Sequence, residues 1–375
     1  MIKTRIYLSS PCLCGKEMVF VHQAVADNWI APSGPSVDGF EREICEYTGA
    51  EYAVATSSGT AAIHMAIRYL GVGKNDIVFC SSLTFAASCN PIIYENGTPV
   101  FIDSEPSSWN MSSSALKKAF EKYPNPKAVI VVNLYGQSAD YDRITEICGK
   151  YNVPVIEDAA ESLGAVYKNK MTGTIGRFGI YSFNGNKIIT TSGGGMLVCP
   201  DEESKKKVTK WITQSRDPAK HYEHSELGFN YRMSNICACF GRGQLTAIKE
   251  RIAQKRKIYD TYQEAFANIE EIEMNPICAY GESNYWLSCC ILNENSKIRP
   301  LDIIFSLENE NIESRPIWKP MHLQPYYKDC DYFTHENENN VSSDIFARGL
   351  CLPSDVNMNE GDIDRVISIV RRHFV

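Results

Sequence analysis

Ala128–Leu134 reads AVIVVNL, an apolar, mostly β-branched run in which no polar residue alternates with its neighbours. A strand with one wet face alternates; a continuous run indicates a strand covered on both faces, as in a parallel sheet between helices. The surrounding sequence repeats the theme. Glu51–Ala55 (EYAVA), Asp76–Ser81 (DIVFCS), Pro99–Asp103 (PVFID) and Val153–Glu157 (VPVIE) are further strand candidates, separated by stretches with helical spacing. One of these, after Ser57-Ser58-Gly59-Thr60, repeats apolar residues at Ile63, Ala66, Ile67 and Leu70 and ends at Gly71. Another lies around Asp140–Tyr151. Strands alternating with helices predict an α/β fold with a mostly parallel sheet. Phe178–Phe183 and Gly195–Cys199 have no full helix between them, so they are predicted to pair like a hairpin.

A long charged helix is predicted at about Leu245–Ala267, its alternating charges reading as a solvated face. Beyond it, WLSCCIL and Ile312–Ile317 suggest a smaller α+β domain. At 375 residues the chain suits two domains. The expected division is residues 1–250, with the N-terminal segment, and residues 251–375.

Composition narrows the function classes. Hydrophobic residues at 44% and charged residues at 22% are ordinary for a globular chain with a sizeable core. The net charge of −7 and the lack of a long basic run argue against nucleic acid as a partner. No stretch approaches the ~18 apolar residues of a membrane span, and the N-terminus has no signal-peptide h-region, so a cytoplasmic protein is expected. Fourteen cysteines sit in apolar surroundings such as IVFCSS and LSCCIL, without any C-x-x-C pair. They read as reduced thiols used as small hydrophobes, and no metal site is expected.

In open parallel sheets, ligands bind beyond the carboxyl ends of the strands. Three such ends carry polar groups here. Ser57-Ser58-Gly59-Thr60 precedes a helix and offers hydroxyls, free N–H groups and the positive dipole end, which suit a phosphate. It lacks the Walker spacing, and alone it is commonly just a helix cap. VIEDAAESLGA crowds Glu157, Asp158 and Glu161 at a strand mouth, where a carboxylate could ligate a metal, cap a helix or pair with a buried cation. GIYSFNGNKIITTSGGGM places Lys187 after a strand, with Ser182 before it and Gly193, Gly194 and Gly195 after it. A lysine held between packed segments is partly desolvated, which prepares it as an amine nucleophile. A lysine after a strand is, by itself, usually a surface residue. A phosphate cup, a strand-end carboxylate and a lysine 29 residues later together fit what pyridoxal 5′-phosphate (PLP) requires. A nicotinamide enzyme would show G-x-G-x-x-G after a strand, and Gly71-Val72-Gly73 follows a helix instead.

IAPSGPSVDGFE, TSSGTAAIHMAI, SSLTFAASCNPIIYENGTPVFID, NLYGQSADYD, VIEDAAESLGA, YSFNGNKIITTSGGGM and GFNYRMSN resemble successive blocks of the DegT/DnrJ/StrS sugar aminotransferases. RPIWKPMH and CLPS extend the resemblance over nearly the whole chain. NGNKIITTSGGGM and RPIWKPMH look most like the 4-aminotransferases of the bacillosamine pathway, which act on UDP-4-keto-6-deoxy-N-acetylglucosamine with L-glutamate as amino donor.

The resemblance implies a fold-type I PLP aminotransferase, with a mostly parallel seven-stranded sheet and active sites shared across a homodimer. By matching motif, Lys187 is the Schiff-base lysine and proton shuttle, Asp158 pairs with the pyridine nitrogen, and Glu161 lies near the ring hydroxyl. Phe85 lies against the ring. Ser58, the backbone of Gly59, Thr60 and Ala61, and the Ser182 hydroxyl hold the phosphate, and Asn230 reaches the phosphate of the neighbouring subunit. Arg232 and His322 are candidate substrate contacts. Two departures stand out: many members read T-T-G-E-G-G-M after the lysine, and many carry a carboxamide where this chain has Glu161. Three other readings compete: a sugar dehydratase with histidine in place of the lysine, a non-catalytic PLP-binding regulator, and a PLP lyase of the cysteine desulfurase kind.

Overall fold

The computed structural model describes residues 4–336 and 340–374. The chain opens with helices α1 (Glu17–Ala26) and α2 (Pro35–Thr48), then enters the main sheet at β1 (Tyr52–Thr56). Helix α3 (Gly59–Tyr69) follows, then β2 (Ile77–Ser81), β3 (Thr98–Ile102), α4 (Ser113–Lys122), β4 (Ala128–Val132), α5 (Tyr141–Lys150) and β5 (Val155–Asp158). Strands β6 (Phe178–Ser182) and β7 (Gly195–Cys199) complete the expected seven. They pair antiparallel, as their short connection suggested. An eighth strand, β11 (Tyr332–Phe333), comes from much later in the chain and lies parallel to β3. The order is β1-β7-β6-β5-β4-β2-β3-β11, and β7 alone runs against the rest.

The apolar run at β4 has a direct cause. Ile130 faces a core with Ile63, Ile67 and Ile156, towards α3. Val129 and Val131 face the other core with Leu116, Phe120 and Ile144, from α4 and α5. Both faces are covered, so all five strand residues are buried and none can be polar. Gly71, at φ +70°, ends α3 in the left-handed conformation that glycine adopts without steric cost.

The helix expected at about Leu245–Ala267 is α7 (Ile248–Phe266), and a further helix, α6 (Asn235–Leu245), directly precedes it. The solvated-face reading of α7 holds for Lys249, Glu250, Arg256, Lys257, Asp260 and Glu264, which are exposed, and fails for two charges. Arg251 and Lys255 are buried on the same face as Ile258, Tyr259, Tyr262 and Phe266. Their spacing puts them in line with the apolar residues, and the N-terminal segment covers that face. Beyond α7, strands β8 (Ile272–Met274), β9 (Ser288–Leu292), β10 (Arg315–Pro316) and β12 (Gly349–Leu352) form an antiparallel sheet in the order β8-β9-β12-β10. Its core joins Tyr262 and Phe266 to Leu350, Leu352, Val366 and Val370. All fourteen cysteines are free thiols, most of them buried. Among the described residues no helix is long and apolar enough to cross a membrane.

Candidate active site

A cavity of about 330 Å³ opens where β1, β2, β5 and β6 end. This is the end of an open parallel sheet at which ligands bind. At its base the chain turns from β1 into α3. Ser58 caps that helix, its Oγ accepting from the Ala61 N–H at 3.1 Å. The cap reading of S-S-G-T is therefore correct, and it coexists with the phosphate reading. The first N–H groups of a helix have no intrahelical acceptor, so Gly59 and Thr60 present theirs at the cavity wall beside Ser57, Ser58 and Ser182. The Ala61 N–H is given to the cap, and Ala61 is not among the cavity-lining residues. Glycine is required around this turn. A Cβ on Gly195 would lie 2.4 Å from the Ser58 carbonyl carbon and 2.5 Å from the Gly59 nitrogen.

Asp158 ends β5 in the cavity wall, buried. One oxygen accepts from Ser88 Oγ at 2.6 Å, and Ser88 in turn bonds Thr84 Oγ1 at 2.6 Å; the other accepts from the Ala160 N–H at 3.2 Å. Burial pushes its carboxyl above the usual range, against the hydrogen bond from Ser88 and the charge of Lys187. The other two carboxylates of this segment part company. Glu157 faces away and accepts the N–H groups of Gly173 and Gly176 at 2.7 Å each, and that of Ile175. It is a loop anchor. Glu161 lines the cavity, accepts the Tyr135 N–H at 2.6 Å, and is pushed up to about 7 by burial.

Lys187 projects into the same cavity after a turn in which its N–H bonds the Asn184 carbonyl. Its Nζ is 3.9 Å from Glu161 Oε1 and 3.9 Å from the centroid of the Trp286 ring. Burial draws the amine below the ordinary lysine range, while Glu161 and then Asp158 oppose that shift. A depressed lysine between two carboxylates is an amine prepared for carbonyl chemistry. Phe85 stands at the cavity edge, 59% exposed, with its ring centroid 5.6 Å from that of Trp318. Trp286 and Trp318 also line the cavity, their ring centroids 6.1 Å apart. Neither was singled out from the sequence, although WLSCCIL and RPIWKPMH contain them. Both belong to the part of the chain beyond residue 250, and only the tertiary fold brings them to Lys187.

Three expected residues lie elsewhere. Arg232 lies outside the cavity lining: it pairs with Glu41 and bonds the Ala55 carbonyl at 3.4 Å, with its side chain only 8% exposed. A guanidinium already held by a buried carboxylate has little left to offer a ligand. His322 also lies outside the cavity lining. Nδ1 bonds Ser82 Oγ at 2.7 Å, Nε2 bonds Ser343 Oγ at 3.0 Å, and the ring stacks on Tyr332 with centroids 3.7 Å apart. Burial takes it down to about 4, so it is a neutral packing ring. Asn230 is exposed and pairs with Thr213 outside the cavity.

The residues present fit PLP. The glycine-bounded turn leaves space and donors for a phosphate, a buried carboxylate faces the cavity, aromatic rings flank it, and the depressed lysine reaches into it. Among the described residues no group of carboxylate, histidine and cysteine side chains has a metal-binding arrangement.

The comparisons agree with this geometry. The sequence profile of the DegT/DnrJ/EryC1/StrS aminotransferase family matches residues 11–371. EpsN of Bacillus subtilis (strain 168), named among the PLP-dependent aminotransferases, is 51% identical over 374 residues, covering 99% of this chain and 96% of EpsN. GDP-perosamine synthase of Caulobacter vibrioides is 35% identical over 365 residues, covering 97% of each chain. The PLP form of the sugar aminotransferase Spr1654 from Streptococcus pneumoniae superposes with a TM-score of 0.90 at 25% identity, covering 99% of this chain and 100% of that one. With this fold and these groups about one cavity, the chain belongs to the DegT/DnrJ/EryC1/StrS family and is a PLP-dependent aminotransferase.

Proposed function

We propose that the enzyme transfers the amino group of L-glutamate to a nucleotide-linked 4-keto-6-deoxy sugar, UDP-4-keto-6-deoxy-N-acetylglucosamine, giving a 4-amino sugar nucleotide for surface glycan or glycoprotein synthesis. The observation that carries this reading is the placement of Lys187, Asp158 and the Ser58–Thr60 turn around one cavity with an aromatic wall. The choice of sugar rests on the resemblance of NGNKIITTSGGGM and RPIWKPMH to bacillosamine-pathway enzymes. The relative named for GDP-perosamine makes a GDP-linked keto sugar the competing substrate.

Bound PLP supplies an electron sink that stabilises negative charge at the carbon losing its proton. The protein's own groups do the rest. The Gly59 and Thr60 N–H groups, with Ser58 and Ser182, orient the phosphate at the α3 dipole. Asp158, fixed by Ser88 and Ala160, would face the pyridine nitrogen and keep a proton there. Lys187 Nζ would hold and move the proton, its depressed basicity making the neutral amine available. Glu161 lies beside both Lys187 and the expected place of the ring hydroxyl. Phe85, Trp286 and Trp318 exclude water from the reacting face.

A homodimer that shares its sites, with Asn230 reaching the partner's phosphate, completes the reading. Exposed Val19, Val25, Trp29 and Ile30 near the N-terminus support such an interface. A cytoplasmic setting is supported by the unpaired cysteines. The division at residue 250 assigns Trp286 and Trp318 to the smaller domain, which would close over the cofactor. The test is a panel of UDP-, GDP- and dTDP-linked 3- and 4-keto sugars with L-glutamate, following 2-oxoglutarate. Turnover is expected to be fastest with the UDP-4-keto-6-deoxy-N-acetyl sugar. Faster turnover with a GDP-linked 4-keto sugar contradicts the substrate assignment and leaves the transaminase chemistry standing.

A further inference from the structure

Lys255 lies on the buried face of α7, behind the cavity wall and outside the reaction described above. Its Nζ donates three hydrogen bonds to three separate parts of the chain: Ser9 Oγ at 2.9 Å, the Trp286 carbonyl at 3.0 Å and the Ser354 carbonyl at 2.5 Å. Two further bonds close a circuit through the residue before Lys187. Ser9 Oγ donates to the Asn186 carbonyl at 3.1 Å, and Trp286 Nε1 donates to the same oxygen at 2.7 Å. Lys255, Ser9, Asn186 and Trp286 thus form a ring of hydrogen bonds. Its open side carries the indole that lies 3.9 Å from Lys187 Nζ.

The chemistry of the site makes this placement informative. Among the described residues no carboxylate is in ion-pair contact with Lys255; Asp355 acts on it through space, and Arg251, one turn earlier, repels it. Burial therefore pulls it down to about 7. An apolar side chain would fill the same volume at less cost. What this amine supplies, and an apolar group cannot, is donors diverging to these acceptors, three as the ammonium and two as the neutral amine above about pH 7. The N-terminal segment is fastened to the same place: Ser354 N–H donates to the Leu8 carbonyl at 2.7 Å, and Ser10 N–H to Asp355 at 2.7 Å.

We propose that Lys255 is a positioning residue for Lys187, holding Trp286 and Asn186 in one fixed relation so that the indole face shields the reactive amine. It acts through Trp286 and touches neither substrate nor cofactor. The inference rests on Lys187 being the cofactor-bonding amine. Glu161, at 3.9 Å, and the charge of Asp158 both act on Lys187. A Trp286 that drifts would admit water, and the amine would return towards ordinary lysine behaviour.

The test uses the full-length protein loaded with PLP and equilibrated with excess L-glutamate. Trace acylation of Lys187 is followed across neutral to alkaline pH by peptide mass spectrometry. The wild type is compared with Lys255→Met and Ser9→Ala. The midpoint for Lys187 labelling is expected to rise by about one pH unit in Lys255→Met and by about half a unit in Ser9→Ala, with melting curves showing folded protein. Ser9→Ala keeps the Lys255 charge and decides the matter if Lys255→Met fails to fold. A wild-type midpoint in folded Ser9→Ala overturns the proposal, because any effect of Lys255→Met is then that of a lost charge acting through space. Borohydride fixation of PLP on Lys187 in the wild type is the control: its absence would refute the assignment of Lys187 itself, separately from the role of Lys255.

Discussion

Lys187 Nζ stands 3.9 Å from Glu161 Oε1, with the two side chains 12% and 4% exposed. An ion pair so poorly hydrated couples the protonation of its members. Glu161 is pushed up to about 7 by burial, and its charged form raises the Lys187 amine against the downward pull of burial. Above about pH 7 the carboxylate is present and supports the ammonium; below it the carboxyl is neutral and that support is lost. Glu161→Gln removes the support at every pH. The expected outcome is a Lys187 labelling midpoint lower by about one unit, opposite in sign to the effect of Lys255→Met.

Asp158 receives its hydrogen bond from Ser88, itself held by Thr84. Asp158→Asn keeps the shape and loses the charge that holds a proton on the pyridine nitrogen. Its kcat is expected to fall about 100-fold or more. Ser88→Ala leaves a buried carboxylate oxygen short of a partner and should lower stability by about 1–3 kcal/mol, with a smaller loss of kcat. Steady-state kinetics alongside urea denaturation separates the two effects.

Gly195 has no room for a side chain, since a Cβ would strike the backbone of Ser58 and Gly59. Gly195→Ala must displace the start of α3. PLP affinity, read by cofactor titration, is expected to weaken at least about tenfold, or about 1.4 kcal/mol.

His322→Ala removes a stacked ring and two hydrogen bonds from a buried site. A loss of about 2–3 kcal/mol in stability is expected, with KM for the sugar nearly unchanged. A large rise in KM without destabilisation would return His322 to the substrate site.

Lys255 gives a pH dependence of stability with a definite sign. Its folded value, about 7, lies below the ordinary 10.5, so between these values the unfolded chain binds the extra proton. Stability from this residue therefore rises with pH across that window, by at most about 1.4 kcal/mol per unit. Urea denaturation across the window should show a flatter profile for Lys255→Met than for the wild type.

The sheet was legible because burial on both faces leaves no polar position in a strand such as Ala128–Val132. Lys187, Asp158 and the Ser58–Thr60 turn were legible because strand ends carry their functional groups in short local motifs. Trp286, Trp318 and Lys255 were not, since each reaches the site from a distant segment and nothing local distinguishes it. Charge misled in the same way. Arg251 and Lys255 read as solvated like the other α7 charges, because a sequence does not show that the N-terminal segment covers them.

The most direct measurement is borohydride reduction of the PLP-loaded enzyme followed by peptide mapping. The phosphopyridoxyl group is expected on Lys187 and absent when L-glutamate is added before reduction. Its appearance on another lysine, or full turnover by Lys187→Ala, would contradict the assignment of Lys187 as the reactive amine.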